Sequence, residues 1–211
     1  MDIRKQMDEI YRDMSLEQIP WNRSEPPQIL VEAVESGKIE PCKTVDLGCG
    51  VGNYSIWLAK HGFDVTGIDI SEKAVQHDSQ AAEKANAKCT FYVRDILGDL
   101  SEFKSSFDFA LDWELLHHIF PEDRPKYVKN VHDILEPNGR YFSLGFSESD
   151  PSFGGEGKLR ETPIGTVLYF SSEDELEELF HPFFEIIEIN TVEIAGKHGP
   201  HEAIASWLKR K

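Results

Sequence analysis

The feature that most restricts the fold of this chain is a short apolar run entering a glycine-rich turn, Val45-Asp46-Leu47-Gly48-Cys49-Gly50-Val51-Gly52-Asn53. Residues 43–47 read as a buried strand. Glycines at 48, 50 and 52 allow positive φ and close approach of a ligand to the backbone. A helix follows through Lys60 and stops at Gly62. Its first amides favour electron-rich groups. Strand, tight turn and helix in this order begin an α/β domain with a mostly parallel sheet.

The rest of the chain repeats that alternation. Residues 2–14 form a short polar helix, 20–27 are irregular, and 27–36 form a helix stopped by Gly37. Strand two covers 63–68, and Ser71 caps a helix that reaches about Asn86. Strands three, four and five cover 89–93, 107–111 and 140–146. Between the last two lies a helix with Tyr127, Val128, Val131, Ile134 and Leu135 on one face, then a turn at Pro137-Asn138-Gly139. Residues 147–166 are rich in Gly, Ser and Pro, without periodicity, and read as a lid or substrate-binding loop. Ser172 and Glu175 stand at capping-box spacing before an acidic helix. Runs at 184–194 and 202–208 are strands six and seven, and the seven residues between them are too few for a helical crossover, so the pair is antiparallel.

The 211 residues suit one domain with a small appendage: 1–25 as an N-terminal helix and lid segment, 26–211 as the α/β domain. A net charge of −16 opposes binding to nucleic acid or an anionic membrane. Cys42, Cys49 and Cys89 form no ligand pattern and read as reduced thiols. The first residues lack an apolar leader and no run is long enough to span a membrane, so the expected location is cytoplasmic.

Asp69 closes strand two, 23 residues after Asp46, where a carboxylate can accept both hydroxyls of a ribose. That much fits any adenosine-type cofactor. The spacing here is GxGxG with Asn53 following, whereas nicotinamide sites use GxGxxG. Asp46, inside strand one, would repel a pyrophosphate and suits a cofactor bearing positive charge. Strand three runs into Arg94-Asp95-Ile96 and strand four into Asp112-Trp113-Glu114-Leu115-Leu116-His117-His118-Ile119.

The segments VDLGCGVGN, GIDIS, VRDI, FDFALDWELLHHI and LEPNGRYF, in this order, resemble class I S-adenosylmethionine-dependent methyltransferases over about residues 26–210. The resemblance implies a Rossmann-like seven-stranded, mostly parallel sheet in the order 3-2-1-4-5-7-6, strand seven antiparallel, with helices on both faces. It also implies S-adenosyl-L-methionine as cofactor. Asp46, Gly48, Cys49 and Gly50 would border the methionine end, and Asn53 is a further cofactor-binding candidate. Asp69 would hold the ribose with Ile70 on the adenine, Asp95 would reach the adenine amine beside Ile96, and the backbone at Asp112 and Trp113 would meet the ammonium. The segment 20–27 resembles the small-molecule group acting on thiols, thiopurines and heterocycles, in which it folds over the cofactor and brings Trp21 to it.

The acceptor side is less determined. His117 is the candidate catalytic residue, with Asp112 and Glu114 as other candidate bases. Neighbouring His117 and His118 point about 100° apart on a helix and do not chelate one metal. Cys49 reads as a small loop residue, and His198 and His201 flank a Gly-Pro turn. Trp21, Phe153, Tyr169 and Phe170 offer aromatic walls for a small acceptor, a thiol, phenol or heterocycle. The protein would be a monomer or homodimer. Rival readings are a nicotinamide-dependent oxidoreductase and a non-catalytic cofactor-binding protein.

Overall fold

In the computed structural model, residues 3–154 and 157–211 are described, and they fall into two compact units, Met1–Gly98 and Asp99–Lys211. The seven-stranded sheet has the order β3-β2-β1-β4-β5-β9-β8, with strands numbered along the chain and bounds given below. This is the expected order, with a small extra hairpin (β6-β7) between the fifth strand and the closing pair.

The first unit contains α1 (Ile3–Asp13), α2 (Gln28–Glu35), β1 (Lys43–Leu47), α3 (Asn53–Lys60), β2 (Asp64–Asp69), α4 (Glu72–Ala85) and β3 (Cys89–Val93). β1, β2 and β3 pair in parallel. Ser71 caps α4 by accepting from the Ala74 amide at 3.2 Å, and Asn86 ends the helix in the left-handed conformation at φ 51°. Asp8 of α1 strengthens the same cap, accepting from the Ser71 hydroxyl at 2.5 Å and from the Lys73 amide at 3.2 Å. An acid at a helix N-terminus is favoured by the helix dipole. It pins the N-terminal helix to α4.

The second unit contains β4 (Phe107–Trp113), α5 (Arg124–Ile134), β5 (Leu135–Phe146), β6 (Leu159–Glu161), β7 (Val167–Tyr169), α6 (Glu173–Phe180), β8 (Phe184–Gly196) and β9 (Gly199–Arg210). β4 and β5 are parallel, and β9 runs antiparallel to both β5 and β8. The capping box of α6 forms as its spacing predicts: Ser172 accepts from the Glu175 amide while Glu175 reaches back. Fully buried Phe109, Phe142, Tyr141, Phe180 and Phe184 form the core.

Several bounds differ from expectation. β5 begins at Leu135, so the Pro137–Gly139 turn is an irregularity inside the strand, marked by a register shift against β4 and by Asn138 at φ 65°. The final strands extend until Gly196 faces Gly199, which shrinks the connection to Lys197-His198. Glycines flanking a two-residue loop allow that tight reversal. β6 and β7 lie inside the stretch read as irregular, because three-residue strands are too short to show a period.

One polar knot stands inside the second unit. The fully buried Asp112 carboxylate accepts from Tyr127 at 2.7 Å, Tyr141 at 3.0 Å, Ser143 at 3.2 Å and the amides of Leu115 and Leu116. Burial pushes its acidity toward the neutral form, and these donors oppose that. Tyr127→Phe removes one donor and should destabilise the protein by about 1 kcal/mol in urea unfolding. Asp112→Ala strands every donor at once and should cost about 3 kcal/mol or more. Equal small losses for both would show the network to be dispensable.

Candidate cofactor and acceptor sites

β1 delivers the glycine turn, with Gly48, Gly50 and Gly52 at φ 69°, 59° and 71°. The turn is fastened to β2: the Gly48 and Cys49 amides donate to the Ile68 carbonyl at 2.8 and 3.1 Å. Asp69 then completes the clasp. One carboxylate oxygen accepts from the Gly50 amide at 3.0 Å and the other from the Ser71 amide at 2.8 Å. Burial still pushes this carboxyl up to about 6. Gly67 of β2 is required for another reason, because a Cβ there would sit 2.5 Å from the Phe91 ring and 2.9 Å from Cys49 Sγ.

The other candidates of the first unit fall around this clasp. Asp46 is buried and accepts from the Ser55 hydroxyl at 2.6 Å. Asn53 opens α3 and donates to Asn22 Oδ1 at 2.8 Å and to the Arg23 carbonyl at 2.9 Å. Trp21 donates from Nε1 to the Tyr11 hydroxyl at 2.8 Å, edge-on to its ring. Tyr11 in turn lies over the turn, since a Cβ at position 50 would meet its hydroxyl at 3.0 Å. Asp95 accepts from the Leu97 amide at 2.9 Å in a tight turn, with Ile96 buried and Ile70 half-buried.

Asp78 is the residue the sequence reading missed here. It is fully buried on α4 and accepts from the Cys49 thiol at 3.2 Å, while its Oδ1 has no hydrogen-bond partner among the described residues. Burial pushes it up to about 9; the Cys49 hydrogen bond opposes and Asp69 and Asp46 add to the rise. Asp78 is thus a neutral acid at pH 7. The available signal was spacing, because Ala74, Asp78 and Ala82 share the buried face of α4. The Cys49 thiol is raised well above its usual value, first by burial and then by the same acids, so it is not a nucleophile.

In the second unit the ends of three strands bring aromatic and polar groups together. β4 ends at Trp113, buried and stacked on Phe142 at 6.3 Å, and a single 3-10 turn, Leu116–His118, follows. His117 is buried and stacks on Phe146, the last residue of β5, at 4.5 Å between centroids. Phe170 and His201 approach the same ring at 5.3 and 4.8 Å, and Phe153 at 6.4 Å. Tyr169 turns elsewhere: its ring lies under Arg124 at 4.4 Å and its hydroxyl donates to Glu175 at 2.8 Å. Arg160, buried above Phe170 at 4.0 Å, gathers the loop after β5 by donating to the carbonyls of Gly157, Ser152, Glu148 and Asp150.

The electrostatics separate the candidate bases. Burial, with His118, Arg124 and His201 adding, pushes His117 well below the usual imidazole range, and its Nδ1 is buried without a hydrogen bond. Burial pushes His118 down to about 4. The Asp112 oxygens are filled by the five donors described above. Glu114 is half-buried at φ 66°. Phe146, Asp150, Arg160 and His201 were not expected as a group; of these the sequence singles out only His201, with Phe153 and Phe170 beside it as aromatic walls. Among the described residues, no group of three or more His, Cys, Asp or Glu could hold a metal ion.

A methyltransferase domain model matches residues 44–139. An uncharacterized methyltransferase of Schizosaccharomyces pombe, C1348.04, is 34% identical over 121 residues, which span 56% of this chain and 81% of that protein. Thiocyanate methyltransferase 1 of Brassica oleracea is 26% identical over 90% of this chain and 80% of its own. A solved structure of Burkholderia thailandensis 1,6-didemethyltoxoflavin-N1-methyltransferase, with 1,6-didemethyltoxoflavin and S-adenosylhomocysteine bound, matches with TM-score 0.78 at 20% identity. That match covers 99% of this chain and 87% of the other, and shows a shared fold. Given the turn after β1, the sheet order and these relatives, the chain belongs to the class I S-adenosylmethionine-dependent methyltransferases.

Proposed function

We propose that this protein binds S-adenosyl-L-methionine on the turn after β1 and methylates a small molecule with an acidic heteroatom: a thiol, phenol or heterocycle. The observation that carries the reading is Asp69, a buried carboxylate at the end of β2 whose two oxygens are aimed by the Gly50 and Ser71 amides. A buried acid oriented by backbone amides can accept two ribose hydroxyls. The residues present fit such a cofactor. Asp46 and Asp69 place carboxyl groups at the turn, and carboxylate charge there favours a ligand carrying an ammonium and a sulfonium.

When bound, the cofactor supplies a sulfonium-activated methyl group for in-line displacement by the acceptor. Asp69 holds the ribose, Ile70 and Ile96 flank the adenine, and Asp95 accepts from its amine. Residues 1–25 act as a lid. It is tethered by the Asp8 cap on α4 and the Asn22–Asn53 contact and braced internally by the Tyr11–Trp21 hydrogen bond. A lid that excludes water suits displacement by a soft nucleophile. His117 is a neutral ring of the acceptor wall, stacked on Phe146. Relatives that methylate thiocyanate or a heterocycle, by their names, are consistent with an acceptor of this size. No helix among the described residues is long and apolar enough to cross a membrane.

The reading makes two predictions. Ribose hydroxyls donate to the carboxylate and not to the protonated acid's hydroxyl, so S-adenosylhomocysteine affinity should rise as pH passes upward through about 6 and level off above. Calorimetry with Asp69→Asn should show that pH dependence lost and affinity reduced about ten-fold. Binding that ignores both pH and the substitution would exclude Asp69 from the cofactor site. His117→Ala should lower turnover, read as S-adenosylhomocysteine release over a panel of thiols, phenols and heterocycles, and leave S-adenosylhomocysteine affinity unchanged. Stabilisation by NADH with none by S-adenosylhomocysteine in a thermal-shift comparison would favour the oxidoreductase reading instead.

A further inference from the structure

We propose that the Tyr11 hydroxyl is a cofactor-binding group of the N-terminal segment: it donates to a ribose hydroxyl oxygen of the adenosine cofactor while that same hydroxyl donates to Asp69. The proposal rests on the reading that the turn after β1 holds S-adenosyl-L-methionine. Every residue it uses lies in the first unit, Met1–Gly98.

The open face of the glycine turn comes first. A Cβ added at Gly52 would meet the Phe91 ring at 3.0 Å and the Asp78 carboxyl carbon at 3.3 Å, so packing fills that side of the turn. A Cβ added at Gly50 would meet, beyond its chain neighbours and among the described residues, one heavy atom within 4 Å, the Tyr11 hydroxyl oxygen at 3.0 Å. The Gly50 amide donates to Asp69 Oδ2 at 3.0 Å. One residue is therefore flanked by the carboxylate on its amide and by the phenol where a side chain would stand. Glycine lets a ligand approach the backbone there.

The unspent donor comes second. Tyr11 is only 5% exposed. Its oxygen accepts from Trp21 Nε1 at 2.8 Å, and its own O–H donates to no group among the described residues. A buried donor without an acceptor is costly, and a ligand oxygen removes that cost. Burial, and after it the nearby Asp69, raises Tyr11 well above the usual phenol range, with the Trp21 hydrogen bond opposing. The hydroxyl thus keeps its proton at neutral pH. The Asp69 oxygens already accept from the Gly50 and Ser71 amides and not from Tyr11. A ligand hydroxyl suits the place between them, because it accepts from the phenol and donates to the carboxylate at once. A ligand carboxylate could do only the first and would be repelled by Asp69.

A common anchor comes third. Asp8 stands one turn before Tyr11 on the same face of α1. It accepts from the Ser71 hydroxyl at 2.5 Å and from the Lys73 amide at 3.2 Å, while the Ser71 amide donates to Asp69 at 2.8 Å. The N-terminus of α4 therefore holds both the helix that carries the phenol and the carboxylate. With the cofactor bound, donors run in series: Trp21 N–H to the Tyr11 oxygen, Tyr11 O–H to the ribose oxygen, ribose O–H to Asp69. Each polarises the next.

Calorimetry on the full chain tests this with four ligands. They are S-adenosylhomocysteine, 5′-methylthioadenosine, which lacks the amino-acid end, and the 2′-deoxy and 3′-deoxy forms of 5′-methylthioadenosine. Tyr11→Phe keeps the ring and removes only the hydroxyl. It should weaken the first two ligands alike, by about five-fold. One of the two deoxy forms, the one lacking the partner hydroxyl, should bind the variant as well as it binds the wild type. Trp21→Phe should weaken the first two ligands by less, and should add nothing further in the Tyr11→Phe background. The thermal midpoint without ligand reports that each variant is folded. An equal loss for all four ligands would mean that the hydroxyl only braces the N-terminal segment, and overturns the proposal. A loss confined to S-adenosylhomocysteine, which places the contact on the amino-acid end, overturns it too, as does no loss at all. A wild-type protein that binds neither S-adenosylhomocysteine nor 5′-methylthioadenosine overturns the cofactor reading itself, a failure distinct from any pattern among the variants.

Discussion

Buried carboxyl groups around one glycine-rich turn are the constraint on which the first unit depends. Asp69 clasps the turn through Gly50 and the next helix through Ser71, Asp46 accepts from Ser55, and Asp78 sits beneath Cys49. Burial makes charge costly here: it pushes Asp78 up to about 9, so that its proton stays on at pH 7, and Asp69 only to about 6. A group poised in this way responds to a positive ligand. A cation near the turn would favour the ionised form of Asp69, in which both oxygens accept hydrogen bonds.

The second unit solves a different problem with the same means. Its core carboxylate, Asp112, is kept by five donors and has no oxygen left for chemistry. Asp150 is kept by two amides and still faces an imidazole. Arg160 contributes by tying the carbonyls of the loop after β5 into one shape against Phe170.

The parts of this arrangement legible in the sequence are those with a local cause. The glycines at 48, 50 and 52, the caps Ser71 and Ser172 and the alternation of apolar runs each act within a few residues, and they give the strands and the helix starts, while the sheet order follows from the family resemblance. Asp46 and Asp69 are legible as ligand candidates because they stand at the strand ends that frame the turn. What escapes notice depends on contacts distant in sequence. Asp78 matters through Cys49, 29 positions away, and His201 through Ser152, 49 away. The short strands β6 and β7 are invisible for want of a period. His117 is visible as a residue, but its loss of basicity comes from burial against Phe146 and from Arg124 and His201, which no spacing reveals.

The central claim is that the turn after β1 and Asp69 together form a site for the methyl donor. A crystal structure of the protein with S-adenosylhomocysteine tests it most directly. The account predicts both ribose hydroxyls within hydrogen-bond distance of the Asp69 carboxylate and the homocysteine end against Gly48–Gly50. A ribose bound elsewhere, with Asp69 still engaged only by Gly50 and Ser71, would contradict it.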